Sequence, residues 1–198
     1  MFFRSPAWDS LTYWALDLET SGMRPKEDSI LSVGMVPLRD GVIHYGERFY
    51  SLVRPKQEGV LSDEGLRAHH ILPSESAQAP TLGHVLPEVD RRLRDGVLLL
   101  HFASLDVNFL KHAYRSIGWA WTRPTVVDTV DLLLKLQRRR QQIDPNPPRV
   151  RTALTEARAD LGLPPHESHH ALADAMATAE LFLALRARLG ASTLRDLK

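Results

Sequence analysis

Apolar and polar positions along the chain set the first expectations. Tyr13-Trp14-Ala15-Leu16-Asp17-Leu18-Glu19-Thr20 is a strand-like run that stops at the turn-forming Ser21-Gly22. The side-chain period of a strand is two, so Asp17 and Glu19 share one face while Trp14, Leu16 and Leu18 line the other. Residues 29–38 read as a second strand, too continuously apolar at Ile30, Leu31, Val33, Met35 and Val36 to be half-exposed. Arg39-Asp40-Gly41 is a hairpin signal, and residues 42–53 complete a third strand. From Pro55 the period changes. Ser62-Asp63-Glu64 can start a short helix that His69-His70-Ile71-Leu72-Pro73 breaks, and Pro80-Thr81 opens a helix reaching Arg94. Residues 97–100 form a short, wholly apolar strand that passes into a helix with Ser104 as its N-cap. Its stripe of Leu110, Ala113, Tyr114 and Ile117 ends at Gly118, and Trp119 and Trp121 read as core or rim packing. A last strand over 124–127 runs into Asp128-Thr129 and a leucine-rich helix over 130–141. A short helix over 152–161 and an alanine-rich one after Pro164-Pro165 complete the chain.

Composition narrows the class. The 198 residues are enough for one well-buried domain, 1–198, with a short N-terminal arm over 1–11 whose Phe2, Phe3 and Trp8 cover part of the core. The chain has no Cys, so disulfides, thiolate catalysis and Cys-ligated zinc are excluded. Residues 1–6 lack the apolar core of a signal peptide and no run approaches the length of a membrane span, so the expectation is a cytoplasmic protein without a membrane partner. The net charge is only +1, so any nucleic-acid surface must be a local one. Such a concentration occurs over 132–155, where Lys135, Arg138, Arg139, Arg140, Arg149 and Arg151 face one acid, Asp144. The proline-stiffened, basic loop over 142–151 lies inside it. A phosphate-backbone contact and a solvated helix face with a surface loop are both open readings.

Candidate chemistry gathers at three places. Asp17 and Glu19 crowd two anions into one small space, which a divalent cation would relieve; a polar edge facing water is the alternative. Asp106 falls in the first turn of a helix, at the carboxyl end of a central strand, where complementing the helix dipole is the simpler role. His166-Glu167-Ser168-His169-His170 matches the H-E-x-x-H zinc pattern formally. Two prolines directly before it place His166 and Glu167 in a loop, so the helix face that would align two imidazoles is missing. His169 and Asp174 can reach one site only with His169 on the loop and Asp174 inside the helix, because five residues on a helix face apart.

In this order the three pieces resemble the DEDDh subgroup of the DnaQ-like 3′-to-5′ exonucleases, from about Tyr13 to Leu189. Asp17-Leu18-Glu19-Thr20-Ser21-Gly22 looks like the first motif, residues 101–110 like the second and 169–174 like the third. Asp128-Thr129 resembles a recurrent structural pair. The resemblance implies an α/β, ribonuclease H-like fold: a mixed five-stranded sheet, its first three strands antiparallel, with helices on both faces. It implies that Asp17, Glu19, Asp106 and Asp174 hold two divalent ions, Mg²⁺ or Mn²⁺. His169 would be the general base, and Leu18, Thr20 and His69 would contact the terminal nucleotide. Arg138, Arg139 and Arg140 are the candidate contacts to the substrate backbone. The implied reaction hydrolyses the terminal phosphodiester of a single-stranded DNA or RNA 3′ end, releasing nucleoside 5′-monophosphates.

One departure from the family pattern is His70, standing where glycine is common in His-Gly-Ile. The chain also stops soon after its last helix, which favours a stand-alone nuclease over a proofreading subunit bound to a DNA polymerase. A domain that binds nucleic acid or protein without cutting is the reading from another class. It calls for a lost carboxylate or histidine, and all five are present.

Overall fold

The computed structural model describes residues 5–56, 71–94 and 96–198. A mixed sheet is built from β1 (Tyr13–Thr20), β2 (Ile30–Arg39), β3 (Val42–Ile43), β4 (Phe49–Leu52), β5 (Val97–Leu100) and β6 (Thr125–Asp128). β1 is central: it runs antiparallel to β2 on one side and parallel to β5 on the other, and β5 pairs in parallel with β6. The opening strands are therefore antiparallel, as expected, but the sheet has six strands rather than five. The run expected as one strand over 42–53 is split by a 3₁₀ turn, Tyr45–Glu47. Pro37 supplies the reason. Its carbonyl faces that edge of β2 and accepts the His44 N–H at 2.9 Å, yet proline has no N–H to return. β3 and β4 stay in line on the outer edge of β2, opposite residues 38–39 and 32–35.

Helices cover both faces: α1 (Pro73–Gln78), α2 (Leu82–Leu93), α3 (Ala103–Ser116), α4 (Thr129–Ile143), α5 (Leu154–Asp160) and α6 (Ala171–Leu189). Leu16, Leu18, Leu98 and Leu100 pack against Val85, Val89, Phe109 and Tyr114 of α2 and α3. On the opposite face Tyr13, Ala15, Val36 and Leu99 meet Leu132, Ala157, Phe182 and Leu185 of α4, α5 and α6. Asp17 and Glu19 continue the row of Tyr13 and Ala15, so the strand period turns them toward α6. Gly34 of β2, opposite Asp17, lets α6 come close. A β-carbon there would lie under 3.0 Å from the backbone of Ala171 and Leu172.

Asp128 sets the start of two helices. Its Oδ1 accepts the N–H groups of Val130 at 2.9 Å and Phe102 at 3.2 Å, and its Oδ2 accepts that of Ala103 at 2.8 Å. Ser104, the expected N-cap, therefore lies inside α3, and Phe102 precedes the helix in a left-handed conformation, φ 61°. A carboxylate reaching from the neighbouring strand replaces the local hydroxyl as the cap. Beside it, His101 joins Thr129 Oγ1 at 2.7 Å to the Thr152 carbonyl at 2.8 Å. In the arm, Trp8 is buried 6.3 Å from the ring of Phe182. The short helix expected near Ser62, with Phe2 and Phe3, lies outside the described residues. Among those described, no helix is long and apolar enough to cross a membrane.

Candidate active site

β1 outruns its parallel neighbour. β5 pairs only with residues 13–15 of β1, so Asp17 and Glu19 stand beyond the end of that ladder, at the carboxyl edge of the sheet. Open α/β sheets bind ligands in this kind of crevice. Asp17, Glu19 and Asp174 each offer a carboxylate oxygen, and the three oxygens lie within 4.8 Å of one another. Asp106, buried in the first turn of α3, joins them electrostatically. Burial, followed by the charges of Asp106, Asp174 and Glu19, pushes the Asp17 carboxyl well above the usual carboxylate range. Burial, reinforced by Glu19 and Asp128, pushes Asp106 up to about 8. Four acids have thus been brought together at the end of β1, where burial and their mutual repulsion oppose ionisation of Asp17 and Asp106. An all-oxygen, multiply anionic donor set fits a hard divalent cation. Asp17, Glu19 and Asp174 accordingly fit a divalent metal ion.

The loop before α6 controls Asp174. Its Oδ2 accepts the His169 N–H at 2.8 Å, and its Oδ1 meets His166 Nε2 at 2.9 Å. His169 precedes the helix with φ 66°, and Asp174 sits in the first turn. His170 is the N-cap, accepting the Ala173 N–H at 3.4 Å, and its ring stacks on Tyr50 of β4 with centroids 4.8 Å apart. His166 and His170 thus have separate tasks, and the zinc-protease arrangement is absent from them. Arg158 of α5, 2% exposed, anchors this loop from beneath. It donates to the carbonyls of Ala177 at 2.7 Å and Pro164 at 2.9 Å and pairs with Glu180 at 2.6 Å.

The remaining predicted residues are not all at the site. Thr20 ends β1 and donates its hydroxyl to the Gly22 carbonyl at 2.7 Å, while the Leu18 side chain is buried on the α3 side. His69 lies outside the described residues. Arg139 donates to the carbonyl of Leu189, the last residue of α6. At about 1.5 Å per residue that carbonyl is about 22 Å along the helix from Asp174, so the Arg138–Arg140 segment is not beside the carboxylates. Sequence reasoning missed His166, Tyr50 and Arg158. The two prolines put His166 in a loop, but its partner Asp174 is eight residues away, and a contact of that kind has no periodicity to reveal it.

Residues 14–182 match the exonuclease family RNase T. The chain belongs to that family. Its curated relatives include the PolC-type DNA polymerase III of Thermotoga petrophila, 29% identical over 178 residues, which are 89% of this chain and 12% of the polymerase. The PolC-type DNA polymerase III of Clostridium perfringens is 32% identical over 169 residues, 85% of this chain and 11% of the polymerase. This chain therefore spans about an eighth of the length of those relatives. Among solved structures, exonuclease X in complex with 5′-overhanging duplex DNA is similar with a TM-score of 0.68 at 20% identity, covering 93% of this chain and 96% of that one. Escherichia coli exonuclease I in complex with a dA16 oligonucleotide gives 0.72 at 16% identity, covering 91% and 41%. These likenesses establish the ribonuclease H-like exonuclease fold, and the family match agrees with the resemblance read from the motifs.

Proposed function

We propose that this member of the RNase T family is a metal-dependent 3′–5′ exonuclease that hydrolyses the terminal phosphodiester of a nucleic-acid strand and releases nucleoside 5′-monophosphates. The observation that carries the reading is the convergence of Asp17, Glu19, Asp106 and Asp174, from one strand and two helices, on the carboxyl edge of β1. Two divalent ions, Mg²⁺ or Mn²⁺, held by these four carboxylates would supply water activation and neutralise charge developing on the phosphate. The protein's own contribution is placement. His166 and the His169 N–H hold the two oxygens of Asp174, so that carboxylate keeps one orientation. His169 stands on the loop at the cluster, and its imidazole takes the proton of the attacking water as general base. The backbone at Leu18 and Thr20 would bear on the terminal nucleotide at the open end of β1.

DNA is the favoured polymer, since exonuclease X and exonuclease I hold DNA in the structures with this fold. The PolC relatives add a DNA polymerase as a partner to test by copurification. The decisive experiment follows 5′-labelled single-stranded DNA and RNA with Mg²⁺, Mn²⁺ or EDTA, for the native chain and Asp17→Ala. The expected result is a ladder shortening from the 3′ end, lost with EDTA and with the substitution, and slowed about 10²–10⁴-fold by His169→Ala. Shortening from the 5′ end, or an undiminished Asp17→Ala, would overturn the proposal.

A further inference from the structure

Two grooves meet on the outer face of α3. One lies between the turn after β1 and α3, and Arg24, Lys26, Lys111 and Arg115 line it. The other shares Lys111 and Arg115 and continues to Trp119 and Arg123, just before β6. The acid in this lining, Glu27, is paired with Arg24 at 2.5 Å. Lys26, Lys111, Arg115 and Arg123 have no ion-pair partner among the described residues. The acid of α3 itself, Asp106, turns inward to the carboxylate cluster. This face thus gathers more positive charge than the +1 that the whole chain nets. His112 lies among these cations, and after the effect of burial the fields of Lys56, Arg115 and Lys26 hold it below the usual histidine value.

In the other basic segment Arg139 is bound to the Leu189 carbonyl and Arg151 to Asp160. The α3 face runs from the turn after β1 along the helix. Arg24 follows closely on Thr20, the open end of β1, and Arg115 is about 13.5 Å beyond Asp106 along α3. That length matches about four nucleotides at the ~3.4 Å spacing of a stacked strand. At its far end Trp119 is 41% exposed, edge-on to Tyr114 beneath it. Cations that track a backbone beside an exposed aromatic ring suit a strand whose bases are free to stack.

Resting on the exonuclease reading, we propose that the α3 face carries the substrate strand on the 5′ side of the nucleotide being removed. It does so as a single strand, with its phosphates on Lys26, Lys111 and Arg115 and a base on Trp119.

The test compares the native chain, Lys111→Gln/Arg115→Gln, Trp119→Ala and Arg138→Gln/Arg140→Gln. Binding of a 5′-fluorescein decathymidylate is read by anisotropy with Ca²⁺ in place of Mg²⁺, between 50 and 200 mM salt. The α3 double variant is expected to bind about tenfold more weakly, with a salt slope shallower by about 1.4 for two lost phosphate contacts. Trp119→Ala should weaken binding about tenfold, and the native Trp emission should quench on addition of the oligonucleotide. The α3 variant should also lose about tenfold more kcat/KM on the decamer than on a dinucleotide. A slope unchanged in the α3 variant but shallower in the Arg138/Arg140 variant overturns the proposal. So does a loss seen on blunt duplex and not on single strand. Shortening of the decamer from its 3′ end by the native chain judges the exonuclease reading separately: its absence with either metal overturns that reading, while the binding arm still decides whether the face holds a strand. Unchanged thermal unfolding of each variant shows that the losses are local.

Discussion

Gly34→Ala probes the packing that sets the site. The added methyl group would approach the carbonyl carbon and oxygen of Ala171 and the nitrogen of Leu172 to less than 3.0 Å, a separation that real β-carbons essentially never show. A flexible side chain could swing away, but these atoms are the backbone of the first turn of α6. Overpacking costs about 1–3 kcal/mol, and a rigid obstacle puts this case near 3. For a domain of this size each kcal/mol moves Tm by about 2–4 °C, so a fall of about 6–12 °C is expected. The remaining relief is for α6 to back off β2, carrying Asp174 away from Asp17 and Glu19. A displacement of about 1 Å can cost about 10²-fold in rate, and Mn²⁺ affinity measured by calorimetry should drop with it. Gly83→Ala is the control, because a β-carbon there meets only the Thr81 hydroxyl at 3.9 Å, in an exposed helical turn. It should hold or raise Tm by the helix preference of alanine, about 0.5–1 kcal/mol. A Gly34→Ala protein with Tm within about 2 °C of native and unaltered Mn²⁺ binding would refute the role assigned to this contact.

Three further outcomes follow from the same contacts. Saturating Mg²⁺ or Mn²⁺ at about 100 times Kd should stabilise the fold by about 2.7 kcal/mol, visible as a rise in Tm of about 5–11 °C that EDTA reverses and Asp174→Asn abolishes. Asp128→Ala strands three backbone N–H groups at the heads of α3 and α4 and should cost about 2 kcal/mol in urea unfolding. His101 is held below its ordinary pKa, first by burial, against the backbone hydrogen bond to Thr152 and the charges of Asp128 and Asp174, which raise it. The unfolded chain therefore binds the extra proton first, so stability should be complete above about pH 6.5 and decline as pH falls below it. His101→Asn should flatten that decline, and an equally steep one would rule out His101 as its source.

Much of this architecture was legible from period and punctuation. Alternation put Asp17 and Glu19 on one face, and the run of apolar residues in β2 announced a strand covered on both sides; both depend on neighbours in sequence. What escaped depends on partners distant in the chain. Ser104 had the local chemistry of a cap, but Asp128 reaches across from β6 and outcompetes it. The third strand looked continuous because its break is imposed by Pro37 on the facing strand. Arg138–Arg140 drew notice as the densest run of positive charge, whereas the α3 face collects its cations singly from the β1–β2 turn, a helix and a loop, and no window along the sequence contains them.

The dependence of the carboxylate cluster on α6 also bears on how the chain comes to life. β1 finds β2 almost at once, its partner being next in sequence, but its parallel partner β5 and the helix that brings Asp174 arrive much later. Parallel pairing and long-range docking are slow, late events in folding. A nascent or half-folded chain therefore presents Asp17 and Glu19 as ordinary surface acids, with nothing opposite them to complete a grip on a metal. On the proposed function, the metal grip is therefore complete only once α6 has docked on β1 and β2.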